Sequence, residues 1–243
     1  MTVEWERRGP AAWVTFNRPE AHNAMTFEMY DALFSYCDRA DADDDVRVLV
    51  LRGAGDKAFV AGTDIRQFLD FSSAEDGLEY ERTIDRVVGR LERVRKPTIA
   101  LVDGFAMGSG LALSAACDLR VCTPAAVFGL PVARTVGNCL SMENYARLAA
   151  LLGEARVKDI VFTARRVHSS EAQAIGLATE VVEDAEARVV ELCELLAAHA
   201  AMTMWATKEA LRRLRPVPDG DDLVREVYGS AEFRERVQAF LRR

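Results

Sequence analysis

Short apolar segments separated by turns run through the first half of the chain and predict β-strands. Apolar and charged residues alternate over 1–17, which predicts two strands around a turn at Gly9-Pro10. Residues 46–51 form a compact apolar run rich in β-branched side chains, and this pattern predicts a buried strand. Shorter strands are predicted over 58–60, 98–102 and 119–122.

Apolar positions three and four residues apart predict helices between these strands. Thr26 is the expected N-cap of a helix over 26–40. The second half of the segment 64–95 has the spacing of a long amphipathic helix. Residues 109–117 are small and almost wholly apolar, so a helix here is expected to be buried on all sides.

Helical patterns dominate the last hundred residues. Helices are predicted over 142–152, 154–163, 169–175, 185–214 and 221–241, with one or two helices in each of the last two segments. Ser170 and Gln173 have the spacing of a capping box at the start of the third of these helices.

The order of the elements predicts an α/β fold followed by a helical region. Strand, turn, helix and strand follow one another twice, over 46–70 and 98–122, as in a repeat of ββα units. We therefore predict an α/β body over 1–190 and a helical region over 191–243.

Composition narrows the class of protein. The 243 residues are 50% hydrophobic, which is enough to fill a core and excludes global disorder. The formal net charge of -7 argues against a nucleic-acid partner and against an anionic membrane surface. No apolar run is long enough to span a membrane, and the N-terminal residues lack the apolar core of a signal peptide, so a cytoplasmic location is expected.

Cysteine and histidine usage predicts no metal site. The five cysteines are scattered, none of them forms Cys-x-x-Cys, and the chain has three histidines. Free buried thiols in a reducing compartment are the expectation.

Two glycine-containing turns have unusual local chemistry. Residues 57–65 lead from a strand through Gly62 to an expected helix start, and residues 103–110 lead through three glycines to the helix over 109–117. A helix start exposes unpaired backbone N–H groups, and two such groups aimed at one oxygen form an oxyanion hole. For one turn alone, tight packing of strand and helix is the preferred explanation.

Other glycine motifs do not fit. The spacing around Ser109 lacks the glycines of a nucleophile elbow, and Gly104, Gly108 and Gly110 do not match a dinucleotide-binding fingerprint.

Three motifs in a fixed order give the strongest functional signal. They are NRPEAHNA at 17–24, KAFVAGTDI at 57–65 and KPTIALVDGFAMGSGLALSAACDLR at 96–120. Together they resemble the enoyl-CoA hydratase/isomerase (crotonase) superfamily. Shorter segments extend the resemblance over essentially the whole chain, at 128–131, 174–182 and 232–241.

The resemblance implies a fold and an assembly. The family fold is a spiral of ββα units, followed by a C-terminal helical region that mediates trimer contacts. A homotrimer or a hexamer, formed as a dimer of trimers, is therefore expected.

The resemblance also implies a substrate and a set of binding residues. The substrate is an acyl-CoA thioester, and no separate cofactor is expected because coenzyme A is part of the substrate. The backbone N–H groups of Thr63 and Ser109 map onto the family's oxyanion hole. Contacts to the coenzyme A moiety map onto Arg18, Ala21, His22, Asn23, Ala24, Lys57, Ala61, Asp64 and Ile65. Phe240 and Arg243 map onto residues that reach the coenzyme A site of a neighbouring subunit.

The sequence departs from the family pattern at two positions that carry chemistry. Where a typical hydratase has its catalytic glutamates, this chain has Ala112 and Val132, or Ala133 if the alignment shifts by one residue. Hydration needs one group that activates water and one that protonates carbon, so ordinary hydration is doubtful here. Isomerisation, decarboxylation, thioester hydrolysis and non-catalytic binding of a CoA ester remain open.

Polar residues near these positions are candidates for substrate contact. Arg134 could pair with a substrate carboxylate, and Asn138 could contact the acyl group. Cys139 is a candidate nucleophile, although a small core residue is the preferred explanation. Asp70 and Tyr80 are possible acids or bases.

Overall fold

The computed structural model describes residues 2–242 and contains two β-sheets surrounded by helices. The strands are β1 (Val3–Arg8), β2 (Ala11–Phe16), β3 (Val48–Gly53), β4 (Ala58–Val60), β5 (Thr98–Val102), β6 (Phe105–Met107), β7 (Leu119–Cys122), β8 (Val127–Gly129), β9 (Val167–His168) and β10 (Glu180–Val181). The helices are α1 (Phe27–Ala42), α2 (Ala74–Glu92), α3 (Ser109–Ala116), α4 (Met142–Leu152), α5 (Glu154–Thr163), α6 (Ser169–Ala174), α7 (Ala185–Ala198), α8 (Ala201–Arg213), α9 (Asp221–Tyr228) and α10 (Ala231–Leu241). Short 3-10 helices span Pro19–Ala21, Ile65–Asp70 and Pro131–Ala133.

From β3 to β8, successive strands alternate between the two sheets. The first sheet has the order β1-β2-β3-β5-β7-β10 and the second has the order β4-β6-β8-β9. The pairs β3/β4, β5/β6 and β7/β8 therefore each give one strand to each sheet. Within each sheet the strands of successive pairs are parallel to one another. The predicted α/β class and ββα repeat are confirmed. The repeat occurs three times instead of the predicted two, and the sequence pattern missed the three-residue strands β6 and β8.

Strand β3 is buried on both faces, as its apolar run predicts. Val48 and Val50 belong to a smaller core that α7 covers with Val189. Leu49 and Leu51 belong to the main core on the opposite face of the sheet. This two-sided burial is typical of parallel strands and explains why the run does not alternate with polar residues.

Helix α2 connects the sheets to the C-terminal helices. Ser73 and Asp76 form a capping box at its start. Gly77 allows α9 to approach closely, since a Cβ atom at this position would lie 2.1 Å from the ring of Tyr228. Tyr228 is thereby held against the buried face of α2.

Most element predictions are confirmed, including the Thr26 cap, whose hydroxyl accepts from the N–H of Met29. The capping box at Ser170 and Gln173 is wrong. Pairing of β9 with β8 sets the helix start at Ser169, so Ser170 lies inside the first turn, and His168 occupies the cap position without a side-chain hydrogen bond. The 221–241 segment is a pair of helices.

The division of the chain near residue 190 stays a prediction, and residue 190 lies within α7. Within residues 2–242, no single helix has the length and apolar character needed to cross a membrane. The pair α7 and α8 together has that length and character, but the two helices are bent by 104° relative to each other.

Candidate active site

The two glycine turns lie side by side because the strands before them are parallel neighbours. In the β4–β6 pair, Val60 is in register with Ala106, so the chain leaves both strands at the same edge of the sheet. Gly108 has φ +56° and ψ -118°, a conformation that side chains disfavour. A Cβ atom on Gly108 would lie 3.6 Å from the Cα atom of Gly62, so the two turns approach each other through their backbones.

Each turn leaves one backbone N–H group without an acceptor in the described part of the chain. On either side of Thr63, Met25 donates to Gly62 O and Asp64 donates to Met25 O, both at 2.8 Å, whereas the N–H of Thr63 itself donates to no group. Ser109 is the first residue of α3, so its N–H has no acceptor within the helix. Both residues line one cavity of about 500 Å³.

Two tyrosines fix the Thr63 side chain. Its hydroxyl lies 2.8 Å from the Tyr30 hydroxyl and 2.7 Å from the Tyr80 hydroxyl. Burial raises the pKa of Tyr30 to about 12 and raises the pKa of Tyr80 well above its ordinary value, so both phenols stay neutral. The backbone N–H of Thr63 is therefore held in place by a rigid, uncharged network.

The remaining cavity wall is largely apolar. Ala112 and Val132, the positions that the resemblance assigns to catalytic glutamates, both line the cavity. Neither side chain can transfer a proton. These two positions therefore present only methyl groups to the cavity.

One carboxyl group that the sequence analysis missed lies in the cavity wall. Glu81 of α2 is 3% exposed and lines the cavity. One of its carboxyl oxygens accepts from the Tyr228 hydroxyl at 2.6 Å, and the other accepts from the N–H of Ser141 at 3.0 Å. Burial, reinforced by the nearby charge of Asp85, raises the pKa of Glu81 to about 8.

Among the polar candidates, Tyr80 and Asn138 line the cavity and the other three lie outside its lining. Asn138 lines the cavity, and its Nδ2 donates to the Tyr228 hydroxyl at 3.2 Å. Arg134 and Asp70 are exposed and do not line the cavity. Cys139 also lies outside the cavity lining, and burial raises the pKa of its thiol to about 12, so its environment does not favour a nucleophile.

Six of the predicted coenzyme A contacts border the same cavity. They are Ala21, Ala24, Ala61, Asp64, Ile65 and Phe240. Phe240 reaches the cavity of its own chain, whereas the resemblance associates this residue with a neighbouring subunit. Arg243, the other residue predicted to reach that site, lies outside the described residues. Lys57 is exposed and lies with His22 and Asn23 around a separate cavity of about 260 Å³.

Arg18 and Asp64 form part of a charged cluster at the cavity. Arg18 Nη2 lies 3.2 Å from Asp64 Oδ2, and Arg18 Nη1 donates to Ala24 O at 2.6 Å. Arg66 lies 2.6 Å from the same Asp64 oxygen and, more than any other group, lowers the pKa of Asp64 to about 2. The cluster of two guanidinium groups and one carboxylate therefore carries a net positive charge.

Comparison with known proteins identifies the family. The sequence profile described as enoyl-CoA hydratase/isomerase matches residues 6–235. The chain belongs to the enoyl-CoA hydratase/isomerase family.

Two relatives named as hydratases of CoA esters are similar to this chain over most of its length. The short-chain-enoyl-CoA hydratase of Clostridium acetobutylicum is 33% identical over 210 residues, which are 86% of this chain and 80% of the relative. The crotonyl-CoA hydratase of Syntrophomonas wolfei is 35% identical over 185 residues, covering 74% of this chain and 69% of the relative.

Solved structures of family members have the same fold. The enoyl-CoA hydratase/isomerase of Xanthobacter autotrophicus Py2 superimposes with a TM-score of 0.90 at 26% identity, covering all of this chain and 93% of the other. The predicted crotonase-type α/β fold is thereby confirmed.

In this family member, Asn23 holds the loop over residues 18–24 in place. Its fully buried side chain accepts from the Arg18 N–H at 2.9 Å and donates to Ala54 O and Ala58 O at 3.0 and 2.7 Å. The Asn23 side chain therefore supports the loop and is not free to contact a ligand.

We expect Asn23→Ala to lower the free energy of unfolding by about 2–4 kcal/mol, because it leaves buried backbone groups unpaired. Chemical denaturation measures this change. Glu20→Ala in the same loop, at an exposed position, is the control and should change stability by less than about 0.5 kcal/mol. Equal stability of the two variants would contradict the supporting role of Asn23.

Proposed function

We propose that the protein is an acyl-CoA enzyme that binds the thioester carbonyl oxygen between the N–H groups of Thr63 and Ser109. The observation that carries this proposal is the pair of acceptor-free N–H groups on two adjacent turns that border one cavity. Removal of a Cα proton from a thioester places negative charge on the carbonyl oxygen. Two fixed donors stabilise that enolate, and one such donor typically contributes about 2.7–4 kcal/mol.

The surrounding elements support this role. Ser109 begins α3, whose N-terminal end favours negative charge. The hydrogen bonds of Tyr30 and Tyr80 to Thr63 limit movement of the other donor. Preorganisation of this kind reduces the reorganisation needed when the enolate forms.

The coenzyme A moiety would lie along the loop that contains Ala21 and Ala24. The Arg18–Asp64–Arg66 cluster supplies a local positive charge for its phosphates, although the chain as a whole is acidic. Lys57 is exposed near the same loop and offers a further cation.

Ordinary hydration is disfavoured in this proposal, because Ala112 and Val132 cannot activate water. Decarboxylation loses its predicted anchor, since Arg134 is exposed and outside the cavity lining. Binding of a CoA ester without turnover is the second candidate function, and the two apolar positions favour it.

Deuterium exchange tests the proposed enolate directly. With 3-butenoyl-CoA in D₂O, we expect the protein to catalyse incorporation of deuterium into the acyl group, measured by mass spectrometry. The thioether S-butyl-CoA, which lacks the carbonyl oxygen, should bind about tenfold more weakly or worse because it cannot accept from the two N–H groups. Binding without exchange would support the non-catalytic alternative, and failure to bind either compound would contradict both functions.

The homotrimer or hexamer stays a proposal. Exposed apolar side chains in and after α8 support association through this region, since Met202, Leu211 and Leu214 are 61%, 63% and 77% exposed.

A further inference from the structure

Glu81 is a buried carboxyl group with no cation to compensate it. Within residues 2–242 no lysine, arginine or histidine forms an ion pair with it, and its two hydrogen bonds come from a phenol and a backbone N–H. Burying a carboxyl group without a compensating cation is costly. Its position in the wall of the acyl-CoA cavity gives the group a chemical use.

We propose that Glu81 is the catalytic residue that transfers the substrate's Cα proton, in place of the carboxylates absent from positions 112 and 132. The inference rests on the proposed function, because the proton is acidic only while the thioester oxygen is held by Thr63 and Ser109. Among the described residues that line the cavity, the other carboxylate is Asp64, which is ion-paired with two arginines.

The proposed step balances without water or a redox partner. The Glu81 carboxylate takes the Cα proton, and the electron pair of the C–H bond forms the enolate. For a β,γ-unsaturated acyl group, the protonated Glu81 then returns the proton to Cγ, and the enolate electrons restore the thioester carbonyl. The double bond moves to the α,β position, so one carboxyl group is sufficient where hydration would require two functions.

Tyr228 and Asn138 position the Glu81 carboxyl. The Tyr228 hydroxyl donates to Glu81 at 2.6 Å, and Asn138 Nδ2 donates to that hydroxyl at 3.2 Å. The Oδ1 atom of Asn138 is buried and has no partner within the described residues. The chain Asn138–Tyr228–Glu81 thus fixes one carboxyl oxygen by a hydrogen bond from α9.

The environment of Glu81 suits a proton-transfer group at neutral pH. The titratable groups around it come from several elements. They are Tyr80 and Asp85 of its own helix, Tyr30 of α1, Tyr228 of α9, Cys139 of the loop before α4, and Tyr145 of α4. Burial raises the pKa of Glu81 to about 8, which leaves both protonation states accessible near pH 7.

Deuterium exchange into 3-butenoyl-CoA by the full chain tests the assignment. We expect Glu81→Gln to lower the exchange rate by about 10²–10⁴-fold while the affinity for the CoA ester changes little. Glu79→Gln, at an exposed position of the same helix, is the matched control and should exchange at the wild-type rate. The wild-type rate should rise with pH up to about 8 and then level off, and Glu81→Gln should lack this rise.

Tyr228→Phe provides a second measurement that does not depend on the Gln variant. The Tyr228 hydrogen bond lowers the pKa of Glu81, so its loss should move the rising part of the pH profile to higher pH. Exchange by Glu81→Gln at more than half the wild-type rate, or an unmoved profile in Tyr228→Phe, would overturn the role of Glu81 alone. Absence of exchange in the wild type at every pH would overturn the enolate function as well.

Discussion

Replacement of Ser109 by proline is expected to slow deuterium exchange into the acyl-CoA by about 10²–10³-fold, because it removes one of the two donors to the enolate oxygen. Proline is tolerated at the first position of a helix, because an N–H at this position has no acceptor within the helix and its loss breaks no helical hydrogen bond. The preceding Gly108 has ψ -118°, outside the α region that a following proline disfavours. Mass spectrometry of the acyl group measures the rate.

Ser109→Ala separates the backbone effect from the side-chain effect. Alanine keeps the N–H group and removes a hydroxyl that is buried without a partner in residues 2–242. The proline variant should exchange at least about 100-fold more slowly than the alanine variant, and circular dichroism verifies that both are folded. Similar rates in two folded variants would show that this N–H does not stabilise the enolate.

The stability of the protein is expected to fall as the pH rises from about 4.5 to about 8, by an amount of the order of 4 kcal/mol from Glu81 alone. The pKa of Glu81 is about 8 in the folded protein and near 4.5 in the unfolded chain. Between these values the unfolded chain has released a proton that the folded protein still holds, so the free energy of unfolding decreases with pH. Denaturant unfolding across this range measures the slope.

Glu81→Gln should flatten this slope, because the amide does not titrate. The variant's stability at a single pH is a poorer measure, since an amide nitrogen cannot accept from the N–H of Ser141 as the carboxyl oxygen does. Asp85, whose pKa burial raises to about 6, contributes a smaller decrease that both proteins share. Glu79→Gln should retain the wild-type slope, and parallel curves for Glu81→Gln and the wild type would contradict the perturbed titration of Glu81.

Local sequence signals were sufficient for most of the secondary structure. The Thr26 cap, helices over 142–152 and 154–163, and the apolar run that became β3 all depend on residues within one or two turns of each other. The three-residue strands β6 and β8 were missed because they are too short to show a period. Their pairing with β4 and β9 is what places them in a sheet.

The spacing of residues along α2 contains a signal that could have identified Glu81. Leu78, Glu81, Asp85 and Val88 are spaced three and four residues apart, so they lie on one face of α2. Charged residues on an otherwise apolar helix face are unusual, and this spacing marks them as candidates for a buried site. The pattern alone does not reveal which cavity the face borders.

The sequence by itself determined the family, the order of the helices and the longer strands, and the two turns that expose the N–H groups of Thr63 and Ser109. These features depend on local chemistry, above all on the conformational freedom of glycine and on the unpaired N–H groups at a helix start. Only the tertiary structure decided that Glu81 lines the cavity bordered by Thr63 and Ser109, and that Arg134 lies outside it. The physical reason is distance along the chain, since Glu81 is fixed by Tyr228, which lies 147 residues away and reaches it through the packing of α9 on α2.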